Sequence, residues 1–270
     1  MRTIAHLSDL HFGREKEEIQ ESLLEDLKEL KPSVVVISGD LTQRALRKEF
    51  SLARAYLKRI PFPVIVVPGN HDIPFFNLPR RFILPLMRYK YYISNDLYPV
   101  FVDDEVAVVG INTARSLAVH NGRISSKQLT QVCHAFADVS EDHCKIVVTH
   151  HPFICPPNIY RPTVGSAAAA LKKFDECGVD ILLSGHYHRG HIGEADAHFP
   201  DVRRPILLVH AGTTISTRLK QEVNSYNFLT IKKNEITIDV RGWNGKAFSH
   251  VRTYEYGRKG ESLTMKGGVA

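Results

Sequence analysis

The sequence predicts an α/β fold built on parallel strands, and three features of its 270 residues say so. Apolar runs of strand length alternate with amphipathic helical stretches along most of the chain, the pattern of β-α-β crossovers. Five of those runs end in polar tips: 4–7 before Asp9 and His11, 34–38 before Asp40, 64–67 before Gly69-Asn70-His71-Asp72, 146–149 before His150, and 181–184 before His186 and His188. Ligands of open α/β sheets gather at the carboxyl ends of strands, so these tips imply one shared site. A composition of 43% apolar and 24% charged residues is that of a globular protein and excludes disorder or a fibrous repeat.

The elements follow in order. Residues 17–30 carry Ile19, Leu23, Leu27 and Leu30 as one apolar stripe of a helix stopped by Pro32. After strand 34–38, a second helix at about 46–59 buries Phe50, Ala53 and Leu57. Strand 64–67 then closes a β-α-β-α-β run. Residues 74–99 break the rhythm, because Pro74, Pro79, Pro85 and Pro99 interrupt any long helix. Aromatic residues (Phe75, Phe76, Phe82, Tyr89, Tyr91, Tyr92) alternate there with Arg80, Arg81, Arg88 and Lys90. Two readings stand: an excursion packing its rings on a sheet edge, or a cap whose rings stack on a base or apolar group while its arginines meet phosphate.

Residues 101–111 read as a hairpin. Ser125-Ser126-Lys127-Gln128 has capping-box form and opens a helix to about Ala137. A further helix, 166–176, ends at Gly178. The short alternating runs 206–210, 226–231, 236–240 and 248–254 read as antiparallel strands. The expected organisation is a single domain over 1–256, with a cap or insertion at 74–99 and a disordered tail at 257–270.

A net charge of +6 suits an anionic substrate and equally an ordinary basic protein. No basic run is dense enough for a stable nucleic-acid complex. The four cysteines form no Cys-x-x-Cys pair and read as small core residues. No apolar run approaches the ~18 residues of a membrane helix, and polar His6, Asp9 and His11 interrupt the segment where a signal peptide is apolar. A cytoplasmic protein with no membrane span is the expectation, and a homo-oligomer is compatible with it.

The tips name a chemistry. Asp9, His11, Asp40, Asn70, His150, His186 and His188 are hard oxygens and imidazoles without thiolate, a set suited to manganese, iron or zinc. They are too many for one ion with an open position and natural for two ions sharing a carboxylate. Two such ions can clamp an in-line displacement at phosphorus. An Asp-x-His or His-x-His alone is more often structural; five motifs at strand ends in this order reverse those odds.

Asp9-x-His11, Gly39-Asp40, Gly69-Asn70-His71-Asp72, His150-His151-Pro152 and Gly185-His186-x-His188 resemble the five signature blocks of the calcineurin-like metallophosphoesterase superfamily. The Ser8-Asp9-Leu10-His11-Phe12 opening is most similar to class III cyclic-nucleotide phosphodiesterases. The resemblance implies a four-layer α/β/β/α sandwich of two packed mixed β-sheets flanked by helices. It implies that Asp9, His11 and His188 hold a first metal, that Asp40 bridges, and that Asn70, His150 and His186 hold a second. His71 would stabilise the developing charge and protonate the leaving alkoxide, with Asp72 orienting its ring.

The implied activity is binuclear metal-dependent hydrolysis of a small phosphodiester, a cyclic nucleotide or similar, by attack of a metal-bridging hydroxide. Phosphomonoester hydrolysis is the near alternative. Pyrophosphate hydrolysis on a lipid-linked sugar nucleotide is another; the aromatic-basic stretch would then lie on a membrane, and liposome flotation is expected to be negative. A non-catalytic scaffold would be expected to lose ligand positions or the catalytic histidine, and none is replaced here. Outside the blocks, Arg115, His210 and Arg218 are candidates for substrate binding, each with an internal structural role as the competing reading. His151 is expected to point away from the ligands, and His6 and His191 to be structural.

Overall fold

In the computed structural model the described residues are 1–118, 120–156, 164–220, 222–259 and 262–269. The N-terminal part runs β1 (Arg2–Leu7), α1 (Glu17–Leu30), β2 (Val34–Ile37), α2 (Arg47–Leu57) and β3 (Val64–Val66). A single 3-10 turn (Asn70–Asp72) leads to the short helices α3 (Leu78–Ile83) and α4 (Met87–Tyr92). There follow β4 (Val100–Val102), β5 (Val106–Gly110), α5 (Ser126–Ala137), β6 (Cys144–Val148), α6 (Ala167–Glu176), β7 (Ile181–Ser184), β8 (His191–Glu194) and β9 (Leu207–His210). The chain ends in β10 (Ser225–Lys232), β11 (Glu235–Trp243), β12 (Phe248–Lys259) and β13 (Ser262–Val269).

Among the described residues, thirteen strands form two mixed sheets, one ordered β13-β12-β11-β10-β1-β2-β3 and the other β4-β5-β6-β7-β9-β8. The period of two along each strand explains why both faces of a sheet are apolar. Ile4, Val34 and Val36 point into the layer between the sheets, where they meet Ile146, Leu183 and Val209. Ala5, Val35 and Ile37 point the other way, under Leu23 and Leu27 of α1 and Phe50 of α2. On the outer face of the second sheet, Val147 and Leu182 pack beneath Val132 and Phe136 of α5 and Phe174 of α6. The result is the expected four-layer α/β/β/α sandwich.

Parallel pairing is what creates the site. β1, β2 and β3 pair parallel in one sheet, and β5, β6, β7 and β9 in the other. Every one of those strands therefore delivers its C-terminal tip to the same end of the sandwich. The hairpin β4–β5 and the capping box of Ser125 and Gln128 form as expected.

Two expectations are corrected, and two further features go beyond the sequence reading. The segment read as a disordered tail from 257 forms the end of β12 and, as β13, pairs antiparallel with it. β8 pairs antiparallel with β9 although His191-Ile192-Gly193-Glu194 lacks the alternation that marks a strand. Cys133 and Cys177 are not isolated core residues but a disulfide joining α5 to the end of α6, whereas Cys144 lies outside that bridge and Cys155 Sγ meets the Tyr187 hydroxyl at 3.1 Å. The 74–99 segment packs only in part: Tyr89 is buried with its hydroxyl donating to the Val66 carbonyl at 3.0 Å, and Tyr92 stacks on Phe50, but Phe75, Phe76, Phe82 and Tyr91 are exposed. No described helix is long and apolar enough to cross a membrane.

Candidate metal centre

The strand tips turn sharply, and their backbone records it. Among the described residues, eight non-glycine residues have φ in the left-handed region, and five of them are Asp9, His11, Asp40, His186 and His188. L-residues adopt that region at a cost and hold it only where the surroundings over-determine it. Glycine supplies the clearance: a Cβ on Gly69 would collide with the Asp40 backbone and carboxylate, and one on Gly185 with Ser8 and Asp9. The glycines of the Gly69-Asn70-His71-Asp72 and Gly185-His186 motifs are there so that two tips can touch.

The seven candidate ligands converge. His11 Nε2 lies 3.6 Å from both Asp9 Oδ1 and Asp40 Oδ2. His150 Nε2 lies 3.4 Å from Asp40 Oδ1, and His188 Nδ1 3.7 Å from Asp9 Oδ1. Asn70 Oδ1 stands 3.1 Å from His150 Nε2 and 3.0 Å from His186 Nδ1, which are themselves 3.2 Å apart. Asp9 and Asp40 thus sit between two groups of donors, one around His11 and His188 and the other around His150, His186 and Asn70. Most of the carboxylate–imidazole separations exceed a good hydrogen bond and match two ligands ~2.0–2.2 Å from a common ion. Asp9 Oδ1 and His11 Nε2 are buried without a hydrogen-bond partner, which a cation between them would supply. The residues fit a metal centre.

Three of the rings are held by a neighbouring oxygen. His150 Nδ1 donates to the Ser38 carbonyl at 2.8 Å and His11 Nδ1 faces the Thr42 carbonyl at 3.3 Å. His188 Nδ1 meets the Thr213 hydroxyl at 2.8 Å, and that hydroxyl also donates to the Arg218 carbonyl. Such contacts set tautomer and ring orientation. Burial alone would raise the Asp9 and Asp40 carboxyls, but the neighbouring imidazoles outweigh it (His188 for Asp9, His150 for Asp40) and hold both well below the usual carboxylate range. Burial pulls His188 to about 4 and, with the charge of His150, His186 to about 3. His150 goes the other way, to about 9, because Asp40 overcomes its burial. Two ionised carboxylates among desolvated imidazoles make a pit that favours positive charge.

His71 lies beside this pit, its ring edge-on to His11 at 4.9 Å between centroids. Its Nδ1–H donates to the Gln43 carbonyl at 2.8 Å, and Arg218 donates to its Nε2 at 2.9 Å. Asp72 does not orient the ring, contrary to the expectation. Its carboxylate accepts from the backbone N–H groups of Gly69 (2.9 Å), Thr42 (3.0 Å) and Leu41 (3.2 Å), and so ties the His71 turn to the Asp40 turn. Beyond His71 opens a cavity of about 330 Å³ lined by Arg44, Phe75, Phe76, Arg81 and Arg218 among others.

Of the three outer candidates only Arg218 reaches this cavity. Arg115 is turned onto the Asn112 and Ala114 carbonyls and Gln128. His210 is buried against Tyr187 and His191. His151 Nδ1 meets the Thr113 hydroxyl at 2.8 Å, but its ring lies 4.8 Å from that of His186 and its buried Nε2 has no hydrogen-bond partner, so the expectation that it points away from the ligands is not met. Sequence reasoning missed Gln43, Thr42 and Ser38, which act through backbone carbonyls that no residue type announces. It also missed Thr213, whose place just after strand 206–210 was the one available signal.

A family description, calcineurin-like phosphoesterase, matches residues 2–190, most of the chain. The protein belongs to the calcineurin-like phosphoesterase family. It is 24% identical over 165 residues to a probable glycerophosphodiester phosphodiesterase GpdQ of Arcobacter nitrofigilis, covering 59% of this chain and 58% of that protein. It is 32% identical over 81 residues to a glycerophosphodiester phosphodiesterase GpdQ of Enterobacter lignolyticus, covering 26% of this chain and 29% of that one. The chain therefore spans less than two thirds of the length of these relatives. Among solved structures, a dimetal phosphatase from Danio rerio shares the fold with a TM-score of 0.65 at 14% identity, over 89% of this calcineurin-like phosphoesterase and 96% of that chain.

Proposed function

We propose that the chain is a metal-dependent phosphodiesterase acting on a small diester, a cyclic nucleotide or similar, with two cations bound at the strand tips. One observation carries the reading: side chains from five strand ends meet in a buried cup whose inward donor atoms include partnerless Asp9 Oδ1 and His11 Nε2. Asp9, His11 and His188 would hold one cation and Asn70, His150 and His186 the other, with Asp40 available to both. The absence of thiolate makes manganese, iron or zinc the fitting metals. When bound, such a pair neutralises phosphoryl charge and makes an attacking water acidic.

The chain's own residues do the rest. Nδ1–H of His71 is spent on the Gln43 carbonyl, so Nε2 is the ring atom facing the cavity. Once Arg218 leaves that nitrogen, Nε2 can take up a proton and give it to the departing alkoxide as the P–O ester bond breaks. Arg218, already 2.9 Å from that nitrogen, is free to turn onto an entering phosphate oxygen. Phe75 and Phe76, with Arg81 and Arg44 over their rings at 5.9 Å, offer the second ester group a partly apolar wall. A monoester would leave that wall unused, which favours the diester.

The test is turnover of bis(p-nitrophenyl) phosphate against p-nitrophenyl phosphate by protein of measured metal content. The expected result is two cations per chain and a higher kcat/KM for the diester. Undiminished turnover after complete chelation, or in Asp40→Ala, would overturn the proposal. Preference for the monoester would leave the metal centre standing and move the substrate class.

A further inference from the structure

The cap presents large apolar side chains to solvent. Phe75, Phe76, Leu78, Phe82, Ile83 and Leu84 are each between 49 and 76% exposed, within one short stretch at the mouth of the site. Isolated exposed apolar residues need no explanation, but a contiguous group of six marks a surface meant to be covered. Asp72 and Asp96 bracket a segment with no carboxylate at all, and Arg80, Arg81, Arg88 and Lys90 lie between them. Arg44, Arg47 and Lys48 add exposed cations from the α2 end, which is tied to the cap by the hydrogen bond from Arg88 to the Ala45 carbonyl. The nearest carboxylate there, Glu49, is buried and spent on the backbone N–H groups of Arg44 and Leu46. Among the described residues, Arg44, Arg47, Lys48, Arg80 and Lys90 enter no ion pair.

Apolar knobs set among unpaired cations match one kind of surface. We propose that this face docks on an anionic lipid bilayer, with the rings and aliphatic tips entering the headgroup layer while the cations meet lipid phosphates. The docking is superficial, since no described helix can span a membrane. A second copy of the chain is the poorer occupant: two-fold pairing of this face would set like cations against each other. Phe75 and Phe76 line the cavity beside His71 and Ile83 and Leu84 a second one of about 590 Å³, so it is the unpaired cations around them that favour an anionic bilayer over a folded partner. Docked so, the cavity beside His71 opens at the membrane surface, because Phe75 and Phe76 belong to both. Binding of this kind would reverse the sequence expectation of a negative flotation, for periodicity could not show which rings of 74–99 point outward.

The full-length protein is to be sedimented with phosphatidylcholine vesicles and with vesicles in which about a third of the lipid is phosphatidylglycerol. This measurement needs no turnover, so it stands apart from the phosphodiesterase reading. The expected result is binding to the anionic vesicles only, weakened at high salt, as screening requires. Phe82→Ser/Ile83→Ser and Arg47→Glu/Lys48→Glu should each lower the partition coefficient about tenfold or more, with thermal midpoints unchanged. Absence of binding to anionic vesicles overturns the proposal. So does loss in the charge variant without loss in the apolar one, which would mean surface attraction without insertion. A dimer in sedimentation velocity that Phe82→Ser/Ile83→Ser abolishes would assign the face to self-association and overturn it as well.

Discussion

Asp72 and Phe76 share one turn of chain and live under opposite rules. Asp72 has no solvent exposure and spends its carboxylate on three backbone N–H groups; Phe76 is 76% exposed. The strand tips hold chemistry that tolerates little displacement, and the rings of His11, His71, His150 and His188 are each held by a carbonyl or hydroxyl. The cap meets whatever arrives from outside, and its side chains have few partners. The contrast predicts that damage to the tips abolishes turnover, whereas damage to the cap changes where and on what the enzyme acts.

The largest effect is expected for Asp40→Ala, which takes away the carboxylate between His11 and His150. Turnover should fall at least ~10³-fold and bound metal below two per chain by elemental analysis, with vesicle binding retained. His71→Ala should leave the metal in place and cost ~10²–10⁴-fold on diesters with alkyl leaving groups. Its cost on a p-nitrophenyl diester should be far smaller, since that leaving group needs no proton; equal losses on both would deny His71 its acid role. Arg218→Ala should raise KM about tenfold with a lesser change in kcat, and lysine should restore little, lacking the planar fork.

A smaller effect concerns acid stability behind the tips. Burial lowers His6 and His210 to about 3, below the ordinary imidazole value of 6.5. The unfolded chain therefore binds more protons than the folded one below pH 6.5. Stability from these groups is complete above that pH and is lost as pH falls towards 3, with a slope of ~1.4 kcal/mol per pH unit per histidine. His210→Phe should flatten the slope by up to one such increment in denaturant titrations with chelator present. The smallest effect is Ile83→Ser: stability within about 0.5 kcal/mol of the parent and turnover of a soluble diester unchanged.

The same contrast explains what the sequence could tell. The five tips were legible because each motif follows an apolar run, and parallel pairing is the ordinary outcome of strand–helix alternation. Asp72 was misassigned because its partners are amide groups of Gly69, Leu41 and Thr42, which have no signature in residue type. β13 was hidden because Ser262–Val269 carries Lys266-Gly267-Gly268 in its second half, and it forms by adding to the long β12. The Cys133–Cys177 disulfide spans 44 residues and obeys no local spacing. In the cap, proline placement showed where helices must stop. It could not say that Tyr89 would turn inward and Ile83 outward.

The left-handed backbone at Asp9, His11, Asp40, His186 and His188 makes metal loading a determinant of mechanical integrity. Conformations of this kind cost ~1–3 kcal/mol each, and ions gripped by the same residues would offset that debt. Chelation should therefore lower the melting temperature, and amide exchange should quicken first in the loops after β1, β2 and β7 while the strands beneath stay protected.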